Sequence, residues 1–399
     1  MNPDLSTLLP YPFERLNQLK AGISPPRDIT PIVMSIGEPK HKPPAFIAEE
    51  IRAHLGALSS YPTTRGTTEL RQAITDWLVR RFHLNPQSID AERHVLPVNG
   101  TREALFAIAQ CVVDRQSKPL VLMPNPFYQI YEGAALLAGA QPRFLNLTPQ
   151  TGLAPRFDAV PESAWKRCQM VYICSPGNPT GAVLDHAALE QLIQLADKYE
   201  FVIAADECYS EIYASEDQPP PGLLEVAARM GRDDYRHCVV FHSLSKRSSV
   251  PGMRSGFVAG DARIIEKFLL YRTYHGCAMP LYIQAASVKA WRDEKHVKEN
   301  RKQYRKKFDA VIDVLAPVID AQRPAGGFCL WLPTPIDDQE FARELYARTN
   351  VTVLPGSFLS RKAHGINPGQ NYVRIALVAE KEECIEAAQR IRDLLRSQQ

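Results

Sequence analysis

The chain has 399 residues, 45% of them hydrophobic and 23% charged, with a formal net charge of +3. It is long enough to bury a large core, its composition is that of an ordinary soluble globular protein, and so small a net charge argues against a nucleic-acid partner. Eight cysteines are scattered with no CxxC pair, so buried free thiols in a reducing compartment fit better than disulfides or a zinc site. The histidines show no metal-ligand spacing. There is no signal-like segment, and the longest apolar runs, around residues 133–140, are too short to span a bilayer. A cytoplasmic protein without a membrane or metal partner is expected.

In chain order, residues 1–45 are proline-rich and lack sustained periodicity, so they read as an N-terminal arm. From 46 to about 280, short apolar runs at residues 120–123, 170–174, 202–205, 238–241 and 256–259 alternate with helical patterns such as Leu189, Leu192, Ile193, Ala196 and Tyr199. Runs apolar on both parities, separated by helices, indicate a mostly parallel sheet covered on both faces, an α/β domain. Beyond 280 the texture changes: a charged helix over 288–319, the segment 326–331, a helix near 338–349, a strand over 372–377 and a helix over 380–396. This predicts a smaller α+β domain over 281–399. The basic stretch 295–307 reads as the solvated face of the long helix.

Ligands of open parallel sheets bind beyond the carboxyl ends of the strands. Three polar clusters fall there: Asn178 to Gly181, Asp206 with Tyr209, and Ser243 to Lys246. Taken singly, the first is as well a turn, Asp206 a helix cap and Lys246 a surface lysine. Together they are the residue types that one cofactor asks for.

At this point the chain resembles the class I/II aminotransferases of the aspartate aminotransferase superfamily, fold type I of the pyridoxal-phosphate enzymes. The resemblance rests on Gly37-Glu38-Pro39, Tyr61 with Gly66 and Arg71, the series Asn99 to Ala104, and Pro126-Phe127-Tyr128. It continues through Asn178-Pro179-Thr180-Gly181, Asp206, Tyr209, Ser243 to Lys246, Arg254 with Gly256, and Arg374. Each motif is weak alone; the ordered series across nearly the whole chain is specific.

The resemblance implies a Schiff base between pyridoxal 5′-phosphate and Lys246, which then moves the proton. It implies Asp206 beside the ring nitrogen, keeping it protonated, Asn178 and Tyr209 on the ring hydroxyl, and Tyr128 on the ring face. Lys246, Asp206 and Tyr209 are the catalytic candidates. Gly100, Thr101 and Arg102, ahead of an apolar helical run, would offer backbone donors to the phosphate, with Ser243, Ser245 and Arg254 adding hydroxyls and a cation. Tyr61 would reach the phosphate of a neighbouring subunit, implying a homodimer with shared sites. Arg374, an arginine within an apolar strand, would clamp the substrate carboxylate with help from Asn178 and Gly37. His242 reads as a packed strand-end residue.

A finer similarity, over residues 243–261, 1–15 and 355–361, is to bacterial succinyldiaminopimelate transaminases. It implies N-succinyl-2,6-diaminopimelate and 2-oxoglutarate as substrates, in lysine biosynthesis, with Arg27, Lys40, Arg102, Arg247 or Arg361 as cations for the distal carboxylates. Aminotransferases for aspartate, alanine or aromatic amino acids remain open, as does a carbon–sulfur lyase on the same fold. A transcription regulator built on this fold is disfavoured, because the chain starts almost directly in the enzyme body.

Overall fold

A computed structural model describes residues 1–397. In chain order its strands are β1 (Ile32–Val33), β2 (Val95–Val98), β3 (Leu120–Asn125), β4 (Gln141–Asn146), β5 (Cys168–Cys174), β6 (Val202–Asp206), β7 (Cys238–Ser243), β8 (Gly256–Gly260), β9 (Cys329–Pro333), β10 (Val351–Thr352), β11 (Leu354–Pro355) and β12 (Tyr372–Ala376). Seven of them form one sheet in the order β2-β8-β7-β6-β5-β3-β4. β8 runs antiparallel to both its neighbours and the remaining pairings are parallel. This is the expected mostly parallel α/β architecture.

The period of two in each strand feeds two cores. Val171, Ile173, Ile203, Ala205 and Val240 join one hydrophobic cluster with Trp77, Trp165 and Trp291. Their alternates Met170, Tyr172, Ala204, Val239 and Phe241 join another with Leu105, Ile108 and Phe268. Helix His186–Tyr199 shows why the covering elements form. Asp185 Oδ1 accepts from the Ala188 amide at 2.8 Å, Leu189, Leu192, Ile193 and Ala196 share the buried stripe, and Glu200 ends the helix in the left-handed region.

The antiparallel sheet β11-β12-β9 builds a third core with helices Lys295–Leu315, Asp338–Thr349 and Lys381–Arg396. The arm is less irregular than its prolines suggest: it holds helix Pro12–Lys20, and β1 pairs parallel with β10. Leu16 of that helix is buried with Leu354, Phe358 and Leu359.

The charged helix expected over 288–319 is two helices, Leu281–Arg292 and Lys295–Leu315. Asp293 is extended and its Oδ1 accepts from the His296 amide at 3.0 Å, which stops one helix and opens the next. Ala286, Val288, Ala290 and Trp291 of the first pack in the large-sheet core, while Phe308, Val311 and Leu315 of the second enter the core of the smaller sheet. Nor is the stretch 295–307 a uniformly solvated face. Lys298, Lys302 and Lys306 are exposed, but Asn300, Arg301 and Lys307 are buried. Arg301 grips the Glu216 carboxylate through two bonds of 2.9 and 2.8 Å. His242 is packed, with its ring 5.0 Å from Trp77 and 5.1 Å from Phe257.

Candidate active site

The sheet brings separate segments to one edge. Parallel neighbours β5, β6 and β7 end there, delivering Asn178, Asp206 and the helical turn Leu244–Arg247 that carries Lys246. Because β8 is antiparallel, its beginning lies at the same edge: Ser243 pairs with Gly256, two residues after Arg254. β2 also ends opposite Gly256, so the helix Thr101–Val112 starts there. Glycine is required at 256, since a β-carbon would come 2.6 Å from the His242 carbonyl oxygen.

These ends surround a cavity of 610 Å³. Its walls include Thr101, Arg102, Tyr128, Asn178, Asp206 and Tyr209, together with Ser243, Ser245, Lys246, Arg254, Gly37 and Arg374. Two predicted residues lie off the walls. Gly100 forms the turn behind Thr101, and Tyr61 is fully exposed outside the cavity.

The Lys246 ammonium donates to the Gly37 carbonyl at 2.7 Å. Burial, reinforced by Arg374 and Arg254, brings its pKa down to about 8, although the thiols of Cys208 and Cys329 pull the other way. An amine so disposed is free to react near neutral pH. Asp206 is buried, has no ion-pair partner among the described residues, and accepts from the Tyr131 hydroxyl at 2.6 Å and the Cys208 amide at 3.2 Å. Burial raises its pKa while those donors lower it. An acid buried without a cation is costly, and the protonated ring nitrogen of pyridoxal phosphate is a group that would complete it.

Arg374, also buried, donates to the Asn178 side-chain oxygen at 3.0 Å and to the Ser35 carbonyl at 2.6 Å. Its Nε has no hydrogen-bond partner among the described residues, which leaves donor capacity for a carboxylate. Tyr209 meets Phe328 edge-on at 5.2 Å, and burial holds its hydroxyl far above its ordinary pKa, so it is a neutral donor.

The same cavity holds a cradle suited to phosphate. Gly100 has φ of 81°, and a β-carbon there would collide with the Arg254 guanidinium, 2.7 Å from its Cζ. The guanidinium therefore sits against the N-terminus of helix Thr101–Val112, where a cation is unfavourable unless an anion lies between. Ser243 and Ser245 border the same space; Ser243 Oγ caps the Ser245 amide at 3.1 Å. Phosphate, amine and acid sites together fit pyridoxal phosphate.

Sequence reading missed Tyr131, Cys208 and the arm residues Tyr11 and Phe13, all of which hold or line the site. Tyr131 follows Tyr128 by one helical turn, but nothing in the chain separates it from a packing tyrosine. Of the five cations suggested for distal carboxylates only Arg102 lines the cavity, its Nε donating to the Tyr128 hydroxyl at 2.7 Å. Arg247 is buried against Ala290, Asp293 and Glu294, and Arg361 pairs with Glu132; both are structural.

The family profile described as aminotransferase class I and II matches residues 29–391. The chain is 31% identical over 397 residues to the LL-diaminopimelate aminotransferase of Nitratidesulfovibrio vulgaris (strain Miyazaki F), covering 98% of each. The crystal structure of an aminotransferase from Neisseria meningitidis Z2491 shares 48% identity with a TM-score of 0.95, over 99% of this chain and 100% of that one. A probable N-succinyldiaminopimelate aminotransferase from Thermus thermophilus shares 25% identity with a TM-score of 0.81, over 96% and 99%.

Proposed function

Since the chain belongs to the class I and II aminotransferases, whose cofactor is pyridoxal 5′-phosphate, we propose that it moves an amino group from N-succinyl-LL-2,6-diaminopimelate to 2-oxoglutarate, in lysine biosynthesis. The observation that carries this reading is one cavity lined by Lys246 together with two arginines, Arg374 and Arg102. That arrangement suits a donor with carboxylates beyond the one next to its amine. The similarity to diaminopimelate aminotransferases of both kinds supports the donor class. Unsuccinylated LL-diaminopimelate is the second reading, favoured by the name of the Nitratidesulfovibrio relative.

When bound, pyridoxal phosphate supplies the electron sink that lets the substrate α-carbon give up its proton. Lys246 would be its covalent anchor and, as a free amine, would take and return that proton. Asp206 would hold a negative charge for the ring nitrogen, Asn178 and Tyr209 would donate to the ring oxygen, and Tyr128 would cover the ring. Thr101, Ser243, Ser245 and Arg254 would bind the phosphate near the turn at Gly100, with Arg102 beside them. Arg374, oriented by Asn178 and Ser35, fixes the α-carboxylate near Gly37. Leu55, Leu58 and Tyr61 are exposed in one segment, which supports a homodimer in which Tyr61 meets the partner's phosphate. The described residues include no helix long and apolar enough to cross a membrane, compatible with a cytoplasmic enzyme.

A panel of donors with 2-oxoglutarate, following glutamate, tests the reading. N-succinyl-diaminopimelate should be turned over with the highest kcat/KM. Preference for LL-diaminopimelate would select the second reading. Activity confined to aspartate, alanine or aromatic amino acids would sink both, and turnover without a 2-oxo acid would indicate a lyase.

A further inference from the structure

Behind the cavity, Asn300 of helix Lys295–Leu315 is buried against the turn that carries Lys246. Its Nδ2 donates to the carbonyl oxygens of Lys246 at 3.1 Å and Arg247 at 3.3 Å. These are end-of-helix carbonyls that the four-residue helix Leu244–Arg247 cannot satisfy internally. Carbonyls only accept, so the amide orientation is fixed and Oδ1 must face the other way. There it accepts from Ser249 Oγ at 3.2 Å and lies 2.7 Å from His41 Nδ1.

Because Oδ1 can only accept, His41 carries its hydrogen on Nδ1. Its Nε2 is buried with no hydrogen-bond partner among the described residues, and its ring packs against Tyr304 with centroids 4.4 Å apart. Burial lowers its pKa, with Lys307 adding to the effect while Asn300 and Glu380 oppose it; His41 is a neutral donor. Four residues before His41 stands Gly37, whose carbonyl receives the Lys246 ammonium. One amide thus holds the lysine's own carbonyl and, through His41, the segment that receives the lysine's amine.

We propose that Asn300 and His41 are a positioning pair for the reaction, setting where the Lys246 amine stands relative to the substrate carbon. This rests on the aminotransferase reading of Lys246. Neither residue lines the cavity, so their action runs through the lysine turn and the 37–41 segment. A pair that only stabilised the fold would alter melting and leave the chemistry of the amine untouched.

The test compares the holoenzyme with Asn300→Leu, which keeps bulk without hydrogen bonds, and His41→Phe, which keeps the ring on Tyr304 without the donor. Lys302→Ala, an exposed position on the same helix, is the control. Three readouts are taken: borohydride fixation of the cofactor to Lys246, the pH midpoint of its visible absorbance change, and steady-state kinetics. The expected result is intact fixation, a midpoint moved by about half a pH unit or more, and kcat down roughly tenfold with KM for the amino donor within about twofold. His41→Phe should move both in the same direction by less, and it carries the test if Asn300→Leu does not fold. An unchanged midpoint and kcat in a folded variant with fixation intact overturns the proposal and leaves the function standing. No fixation in the unmodified protein refutes the function and this proposal together.

Discussion

The Tyr131 hydroxyl donates to Asp206 Oδ2 at 2.6 Å, with both side chains buried. Tyr131 also stacks on Tyr172 at 4.6 Å, so its ring cannot swing away. The acid therefore keeps its direction and part of its charge through a residue that never lines the cavity. Tyr131→Phe should let the Asp206 pKa rise further and weaken its hold on a cationic ring nitrogen. Hydrogen bonds to charged groups are worth roughly 1.5–3 kcal/mol, so kcat/KM should fall about 10- to 150-fold. Asp206→Asn should fall further; equal loss in the two would mean that Tyr131 acts on more than the acid.

Lys246→Ala should abolish borohydride fixation of the cofactor and lower kcat by at least about 10³-fold, since it removes both anchor and proton carrier. Mass spectrometry of the reduced protein checks the first part. Fixation persisting elsewhere on the chain would refute the assignment.

Arg374→Lys keeps a charge but loses the planar fork that reaches Asn178, Ser35 and a carboxylate at once. We expect kcat/KM for every amino donor to fall by about 30- to 150-fold, corresponding to roughly 2–3 kcal/mol. Arg102→Ala should behave differently. Arg102 is exposed, so KM for the succinylated donor should rise only about three- to tenfold, with alanine little affected. Weakened cofactor retention alone would remove Arg102 from substrate recognition.

Gly100→Ala places a methyl group in the Arg254 guanidinium at a positive φ. Pyridoxal-phosphate retention on dialysis should drop at least about tenfold. Arg254→Lys should lose part of it, because a point charge does not reproduce the fork on phosphate.

Lys246 gives a pH dependence whose sign follows from its depressed pKa. Between about 8, its value in the folded chain, and about 10.4, its ordinary value, the unfolded chain binds more protons there. Stability of the cofactor-free protein therefore rises with pH across that window. Relative to Lys246→Met, the gain should reach up to about 3 kcal/mol. Parallel urea-unfolding curves for the two proteins at each pH would show that the lysine is not depressed.

Five of the seven strands of the large sheet were legible because their residues are apolar on both parities, as in Cys168–Cys174; β2 was not read, nor was β4, whose Gln141–Asn146 is polar and half-buried. The chemistry at their ends was legible because open parallel sheets put ligands there. Asp206, Asn178, Lys246 and Arg374 were thus readable from residue type, strand position and family-like order. The break at Asp293 was not, because buried apolar residues recur at helical spacing in both Leu281–Arg292 and Lys295–Leu315, and only the cores that they enter, that of Trp291 and that of Phe308, differ. Nor were Tyr131, Asn300 and His41, whose importance comes from contacts spanning 75 and 259 positions along the chain. The sequence by itself placed Asn178, Asp206 and Lys246 at neighbouring strand ends, since periodicity and residue chemistry are local. Only the tertiary structure decided what orients them, because a hydrogen bond between distant segments leaves no periodic trace in either one.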